Sequence, residues 1–143
     1  PLLKHTDGAR VVNSASSACG GGSPRLAVYS ATKFAVRGLT EAMDVELSGL
    51  GIRCTSLMPW FIDTPILDMG TVEGANVKMS DEIEENGQEV YPVSLAAEVA
   101  WDAAHGIDTH YMAGDQAKRA RFIARFLPGM MKKQILKGLP PRT

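Results

Sequence analysis

Short apolar runs and one long run of helical period divide this chain into a strand, helix, strand unit followed by a looser second half. Ala9 to Asn13 is an apolar run of the length and type of a buried parallel strand, after a turn at Asp7-Gly8. Tyr29 to Leu50 repeats apolar residues close to every 3.6 positions. Phe34, Ala35, Leu39, Ala42, Met43, Val45 and Leu47 mark the expected core face, with Arg37, Glu41, Asp44 and Glu46 on the opposite side. Gly49 and Gly51 end that helix, and Ile52 to Met58 reads as the next strand. Such a unit joins parallel strands by a right-handed crossover. Ser94 to Gly106 predicts a further helix with Ser94 as N-cap and Glu98 near its first turn, and His110 to Ala113 predicts the last strand. The fold class is therefore α/β, part of a doubly wound parallel sheet with three strands and flanking helices.

Thr71 to Val90 is different in kind: acidic, with Gly74, Asn76 and Gly87 interrupting any period. From Lys118 onward every charged residue is basic, with Phe, Ile, Leu and Met interleaved, and Pro128-Gly129 breaks the run into two short amphipathic pieces. Such a pair suits a membrane surface, a cover over a pocket, or a partner subunit.

Composition removes several classes. The 143 residues are 45% hydrophobic and 22% charged with a net charge of −1, an ordinary globular balance that gives no general affinity for nucleic acid. No apolar run approaches the ~20 residues of a membrane span, and no secretory h-region opens the chain. Cys19 and Cys54 lack metal-ligand spacing and read as small buried residues in a reducing, cytoplasmic compartment. His5, His105 and His110 likewise form no metal pattern and read as surface or capping residues. No metal is expected.

Chemistry concentrates in Tyr29-Ser30-Ala31-Thr32-Lys33, with Ser16 thirteen positions upstream of Tyr29. Four residues apart on a helix, the phenol and the ammonium share a face, and an ammonium fixed beside a phenol favours the phenolate. A tyrosine so placed serves as a general acid or base. A serine hydroxyl from a separate strand would hold a carbonyl oxygen nearby; Ser14 and Ser17 are the neighbouring alternatives to Ser16. Asn13 reads as a tie for the strand end.

The order of these pieces closely resembles the short-chain dehydrogenase/reductase family. It runs from strand Arg10-Val11-Val12-Asn13 through Ser14 to Ala18, the loop Gly20-Gly21-Gly22-Ser23-Pro24, and the Tyr29/Lys33 helix to the turn Met58-Pro59-Trp60-Phe61-Ile62-Asp63-Thr64-Pro65. The likeness runs from Pro1 to about Lys118. It implies a Rossmann-like fold and NAD(P)-dependent interconversion of an alcohol and a ketone or aldehyde, with NAD or NADP as cofactor and a small-molecule substrate. It assigns the carbonyl to Ser16, the proton to Tyr29, and the nicotinamide ribose to Lys33. Pro59, Trp60, Ile62 and Thr64 would line the cofactor, and residues about 65–90 would form the substrate lid, unless they are only a solvated connection. Trp60 departs from the pattern, since many members carry Gly after this Pro.

No glycine fingerprint precedes the first strand. Gly20-Gly21-Gly22 follows the serine strand instead and does not replace the phosphate-binding turn. Residues 1–143 are therefore expected to be the carboxyl-terminal part of one Rossmann-type domain, inactive alone and homo-oligomeric in the longer parent, with a basic tail over about 117–143. The competing expectations are a truncated interaction module without catalysis and a lipid-directed reductase at a membrane surface.

Overall fold

The computed structural model describes residues 2–24, 26–68 and 79–137. Its main sheet has three parallel strands, β1 (Arg10–Ser14), β2 (Arg53–Pro59) and β5 (His110–Ala113), in the order β1-β2-β5. Val11 lies opposite Cys54, Asn13 opposite Ser56, and Met58 opposite Met112. The three expected strands are present within a residue of their expected limits. A second, two-residue parallel pair, β3 (Phe61–Ile62) with β4 (Val90–Tyr91), was not anticipated, because two residues carry no readable period.

Helix α1 (Ala27–Ser48) covers one face of the sheet and α3 (Val93–His105) the other. The alternation of β2 shows this directly. Cys54 packs with Met43 and Leu47 of α1, whereas the neighbouring Thr55 hydroxyl donates to the carbonyl of Ala103 in α3, 2.8 Å away. Two apolar clusters hold α1 down: Ala9, Ile52 and Cys54 at one end, and Ala15, Cys19 and Met58, joined by Val36 and Met112, at the other. Burial pushes both cysteine thiols up, in keeping with their reading as small core residues.

The inward face of α1 differs from the expected one. Phe34, Leu39 and Val45 are exposed, while Val36, Thr40, Met43 and Leu47 point to the sheet. The inward row includes Thr40, fully buried, whose hydroxyl donates to the Val36 carbonyl and so needs no apolar side chain at its position. Asp44, assigned to the outer side, also turns inward. Its carboxylate accepts from the backbone N–H of Cys54 (2.9 Å), from Arg53 (3.1 Å) and from the Thr109 hydroxyl (3.1 Å). Burial works against that charge, but the three donors outweigh it and hold the carboxyl below its ordinary range. The helix starts at Ala27, two residues earlier than expected, and Gly51, at φ +71°, turns the chain into β2.

Other expectations need correction. The N-cap of α3 is Pro92, not Ser94, because proline already holds the extended backbone that a cap requires. His110 is no surface residue: its ring lies between the fully buried Ser56 hydroxyl (Nδ1, 2.8 Å) and the Glu41 carboxylate (Nε2, 2.9 Å). His105 does cap, with Nδ1 2.8 Å from the Trp101 carbonyl. Of the acidic segment, residues 69–78 lie outside the described residues; the remainder forms α2 (Met79–Glu85), with Ile83 buried, and β4. The basic tail divides as expected, into α4 (Asp115–Phe126) and α5 (Pro128–Lys137), with Pro128 at the first helical position.

Burial lowers the pKa of His110 from 6.5, against the opposing hydrogen bond to Glu41. A histidine held neutral in the folded state contributes stability above its unfolded pKa, and that contribution is lost as pH falls through the folded value. Urea midpoints are therefore expected to drop as pH falls below 6.5, and His110→Gln to flatten the dependence between about pH 8 and pH 5. The carboxyls of Glu41 and Asp44, both held low, add a second loss only further down, below 4.5 and 3.8. An unchanged slope in His110→Gln would remove His110 as the cause.

Candidate active site

Three parallel strands end at one edge of the sheet, where Ser14, Pro59 and Ala113 are the last residues of β1, β2 and β5. Ala15 extends the ladder, its N–H donating to the Leu57 carbonyl at 2.9 Å. Ser16 then stays extended, and its Oγ accepts from the Ala18 N–H at 3.2 Å, opening a short 3-10 turn over Ser17–Cys19. That bond uses a lone pair of the almost buried hydroxyl and leaves its proton free to donate.

Tyr29 and Lys33 lie one turn apart near the start of α1. Lys33 Nζ donates to the Ser14 carbonyl at 3.1 Å and sits 5.6 Å from the centre of the Tyr29 ring. The ammonium thereby joins the helix bearing the phenol to the strand end bearing Ser16, two residues beyond the carbonyl it binds. Tyr29 itself is 43% exposed, so its hydroxyl-bearing ring is accessible from outside.

Two ties fix this arrangement. Asn13 Nδ2 donates to the buried Thr40 Oγ1 at 3.0 Å, so Asn13 does fasten the strand end, as its position suggests. The Ser23 N–H donates to Ser30 Oγ at 3.2 Å, which pins the glycine loop to α1. Ser30 stood inside the Tyr-to-Lys motif, yet nothing in the spacing pointed to this role. The loop is also covered from outside. A Cβ on Gly20 would stand 3.6 Å from Cα of Arg121, and one on Gly21 3.4 Å from Cε of Met131, so α4 and α5 pack over the turn that follows Ser16.

The second group of expected residues leaves the neighbouring strand at the same edge. The Trp60 N–H continues the ladder to the Ala113 carbonyl at 3.0 Å, so the bulky residue after Pro59 is accommodated by pairing with β5. Its indole meets Phe61 edge-on, with ring centres 5.4 Å apart, and Trp60 Nε1 is buried with no hydrogen-bond partner among the described residues. The Thr64 hydroxyl donates to the Ile62 carbonyl at 3.2 Å, and the Asp63 N–H donates to the Tyr91 carbonyl at 2.8 Å. Among the described residues, no group of three or more His, Cys, Asp or Glu side chains is placed to hold a metal.

The family model for short chain dehydrogenases matches residues 1–75, just over half of the chain. The chain belongs to that family. Within it, the diacetyl reductase ((S)-acetoin forming) of Staphylococcus aureus is 37% identical over 65 residues, which are 46% of this chain and 25% of that protein. The 5'-hydroxyaverantin dehydrogenase of Dothistroma septosporum is 44% identical over 45 residues, 32% of this chain and 15% of that one. A short chain dehydrogenase from Burkholderia cenocepacia J2315, crystallised with NADP, superposes with a TM-score of 0.74 at 23% identity, covering 98% of this chain and 51% of that one. At this identity the likeness is one of fold, and it bears out the Rossmann-like sheet. This short-chain dehydrogenase chain thus spans about half the length of that structure.

The tie between Asn13 and Thr40 can be measured. Asn13→Ala is expected to cost about 1 kcal/mol of stability. In a double-mutant cycle with Thr40→Val, the two losses should be less than additive, by at least ~0.5 kcal/mol. Strict additivity in chemical denaturation would show that the two side chains do not share a bond.

Proposed function

We propose that this chain is the carboxyl-terminal, catalytic part of an NAD(P)-dependent oxidoreductase that interconverts an alcohol and a ketone or aldehyde. One observation carries the reading: Lys33 lies over the Tyr29 ring while bonded to the Ser14 carbonyl, at the strand edge that also presents Ser16. Open α/β sheets take ligands outside the carboxyl ends of their strands, at this kind of edge.

The residues present fit a nicotinamide nucleotide. Lys33 spends one N–H on Ser14 and keeps two for ribose hydroxyls. Trp60 Nε1 is a buried donor that meets no acceptor among the described residues, and a donor left unsatisfied costs about 1–3 kcal/mol until it finds one. Pro59, Ile62 and Thr64 would flank the ring from the adjoining strand end. When bound, NAD or NADP takes or supplies the hydride.

The protein's own part is the proton and the orientation of the oxygen. Ser16 Oγ, whose proton meets no acceptor among the described residues, donates to the substrate oxygen and holds it. Tyr29 Oη passes a proton to that oxygen in reduction and takes it back in oxidation. Lys33 keeps positive charge beside the phenol, so the negative charge left on Tyr29 after proton donation has a counterion in reach. The α4 and α5 helices, packed over the glycine loop, help to keep water from the reaction side.

The reading is tested in the longer polypeptide that joins this chain to a nucleotide-binding half. Tyr29→Phe is expected to lower kcat by roughly 10²–10⁴-fold with little change in cofactor affinity, because the hydroxyl acts and the ring does not. A variant that keeps more than about a tenth of kcat removes Tyr29 from the proton transfer.

Lys33→Met is expected to weaken NADH or NADPH binding by about tenfold or more, the size of a lost charge-assisted hydrogen bond. Fluorescence titration measures it. Normal affinity in that variant would reduce Lys33 to a structural link between α1 and Ser14.

A further inference from the structure

Charge is distributed very unevenly along this chain. All 16 acidic residues fall at or before Asp115, among only seven basic ones, whereas residues 118–143 carry eight basic residues and no acid. The structure shows where the basic part faces. On α4, Ala117, Ala120, Arg121 and Ala124 turn toward the body of the protein, with Arg121 Nη1 reaching Met58 Sδ. The opposite side of α4 presents Phe122 and Phe126, 58% and 61% exposed, with ring centres 4.9 Å apart. Lys118, Arg119 and Arg125 flank this aromatic pair, and Arg125 lies 5.9 Å from the Phe126 ring centre.

The turn into α5 continues the pattern. Leu127, Met130 and Leu136 are exposed, and Lys132, Lys133 and Lys137 stand in solvent beside them. A groove of about 300 Å³ runs along α4, lined by Met112, Phe122 and Phe126 together with Lys118, Arg121 and Arg125. It sets apolar wall and cations side by side, as a lipid phosphate with the start of its acyl chain requires.

We propose that the outer face of α4 and α5 docks this protein on an anionic phospholipid surface. Phe122 and Phe126 enter the boundary between headgroups and acyl chains, and the exposed lysines and arginines bind the phosphates. An interfacial helix of this type combines bulky apolar residues with basic ones and lies along the membrane plane. No helix among the described residues is long and apolar enough to cross a membrane, so the contact is peripheral. Charge complementarity sets the orientation: the same surface that attracts the tail repels the acid-rich remainder of the chain. An acidic protein partner would match the cations, but it would not call for an exposed aromatic pair at the centre of the basic face. The inference stands apart from the oxidoreductase reading, since docking needs no turnover.

Co-sedimentation of the full chain with vesicles of phosphatidylcholine, with and without phosphatidylglycerol, tests it. Binding is expected only where phosphatidylglycerol is present, and is expected to fall when salt near 1 M shortens the screening length to about 3 Å. Lys132→Glu/Lys133→Glu should weaken it by about 30-fold or more, from roughly a fivefold effect per lysine lost at an anionic surface. Phe122→Ser/Phe126→Ser should keep low-salt association and lose whatever survives high salt. Glu46→Lys/Glu98→Lys, which changes net charge as much but lies elsewhere, should stay within about twofold of wild type; circular dichroism checks that each variant is folded. The proposal is overturned by no binding to phosphatidylglycerol vesicles, by equal binding to phosphatidylcholine alone, or by wild-type affinity in the Lys132/Lys133 variant. It is equally overturned if the Glu46/Glu98 variant gains affinity in proportion to its charge, since net charge rather than this face would then decide binding.

Discussion

Strand β2 has helices on both faces and strands on both edges, so each polar group it carries must find its partner inside the protein. Leaving one such group unmet would cost about as much as several surface interactions contribute. The response is specific to each residue. Thr55 bonds a carbonyl of α3, Ser56 bonds the ring of His110, and the Cys54 N–H bonds Asp44. This last bond follows from register. β5 begins opposite Ser56, so at Cys54 no strand carbonyl is available on that edge, and a carboxylate from α1 supplies the acceptor. The small side chains Cys54, Thr55 and Ser56 also let both helices approach closely, which is what brings the start of α1 over the end of β1.

The proposed reaction centre inherits its geometry from that docking. Lys33 reaches Ser14 because α1 lies flat on the sheet, and α1 lies flat because Thr40, Met43 and Leu47 meet Asn13, Ile52 and Cys54 below them. Gly20 and Gly21 carry no side chain where α4 and α5 close over the loop. Removing any one of these contacts would shift the strand end relative to the helix, and with it the proposed serine, tyrosine and lysine relative to each other.

Much of this was legible in the sequence, and the parts that were not share a cause. The buried parallel strands announced themselves as apolar runs, and the carboxyl end of α1 as glycines, because both signals are local. Tyr29 and Lys33 were equally local, one helical turn apart. The inward face of α1 was misjudged because Thr40 and Ser30 are polar yet buried, each satisfied by a hydrogen bond that hydropathy does not register. His110 escaped notice for a related reason. Its partners Ser56 and Glu41 lie 54 and 69 residues away, so only the folded sheet brings them together. The Asp44 hub depends in the same way on Thr109, 65 residues distant.

The order of strands also has a bearing on the speed of folding. β2 takes its second neighbour only after the chain has closed the long excursion from Ser56 to His110, and loop-closure entropy must be met before those contacts reward it. Until then Ser56 has no imidazole, Asp44 lacks Thr109, and one edge of the central strand is open. An assembly of β1, α1 and β2 alone is thus a species with unmet donors and a bare apolar edge, prone to pair with another chain. Closing the excursion from Ser56 to His110 therefore carries an entropy cost that only the completed sheet repays, and any state without β5 leaves one edge of β2 open to another chain.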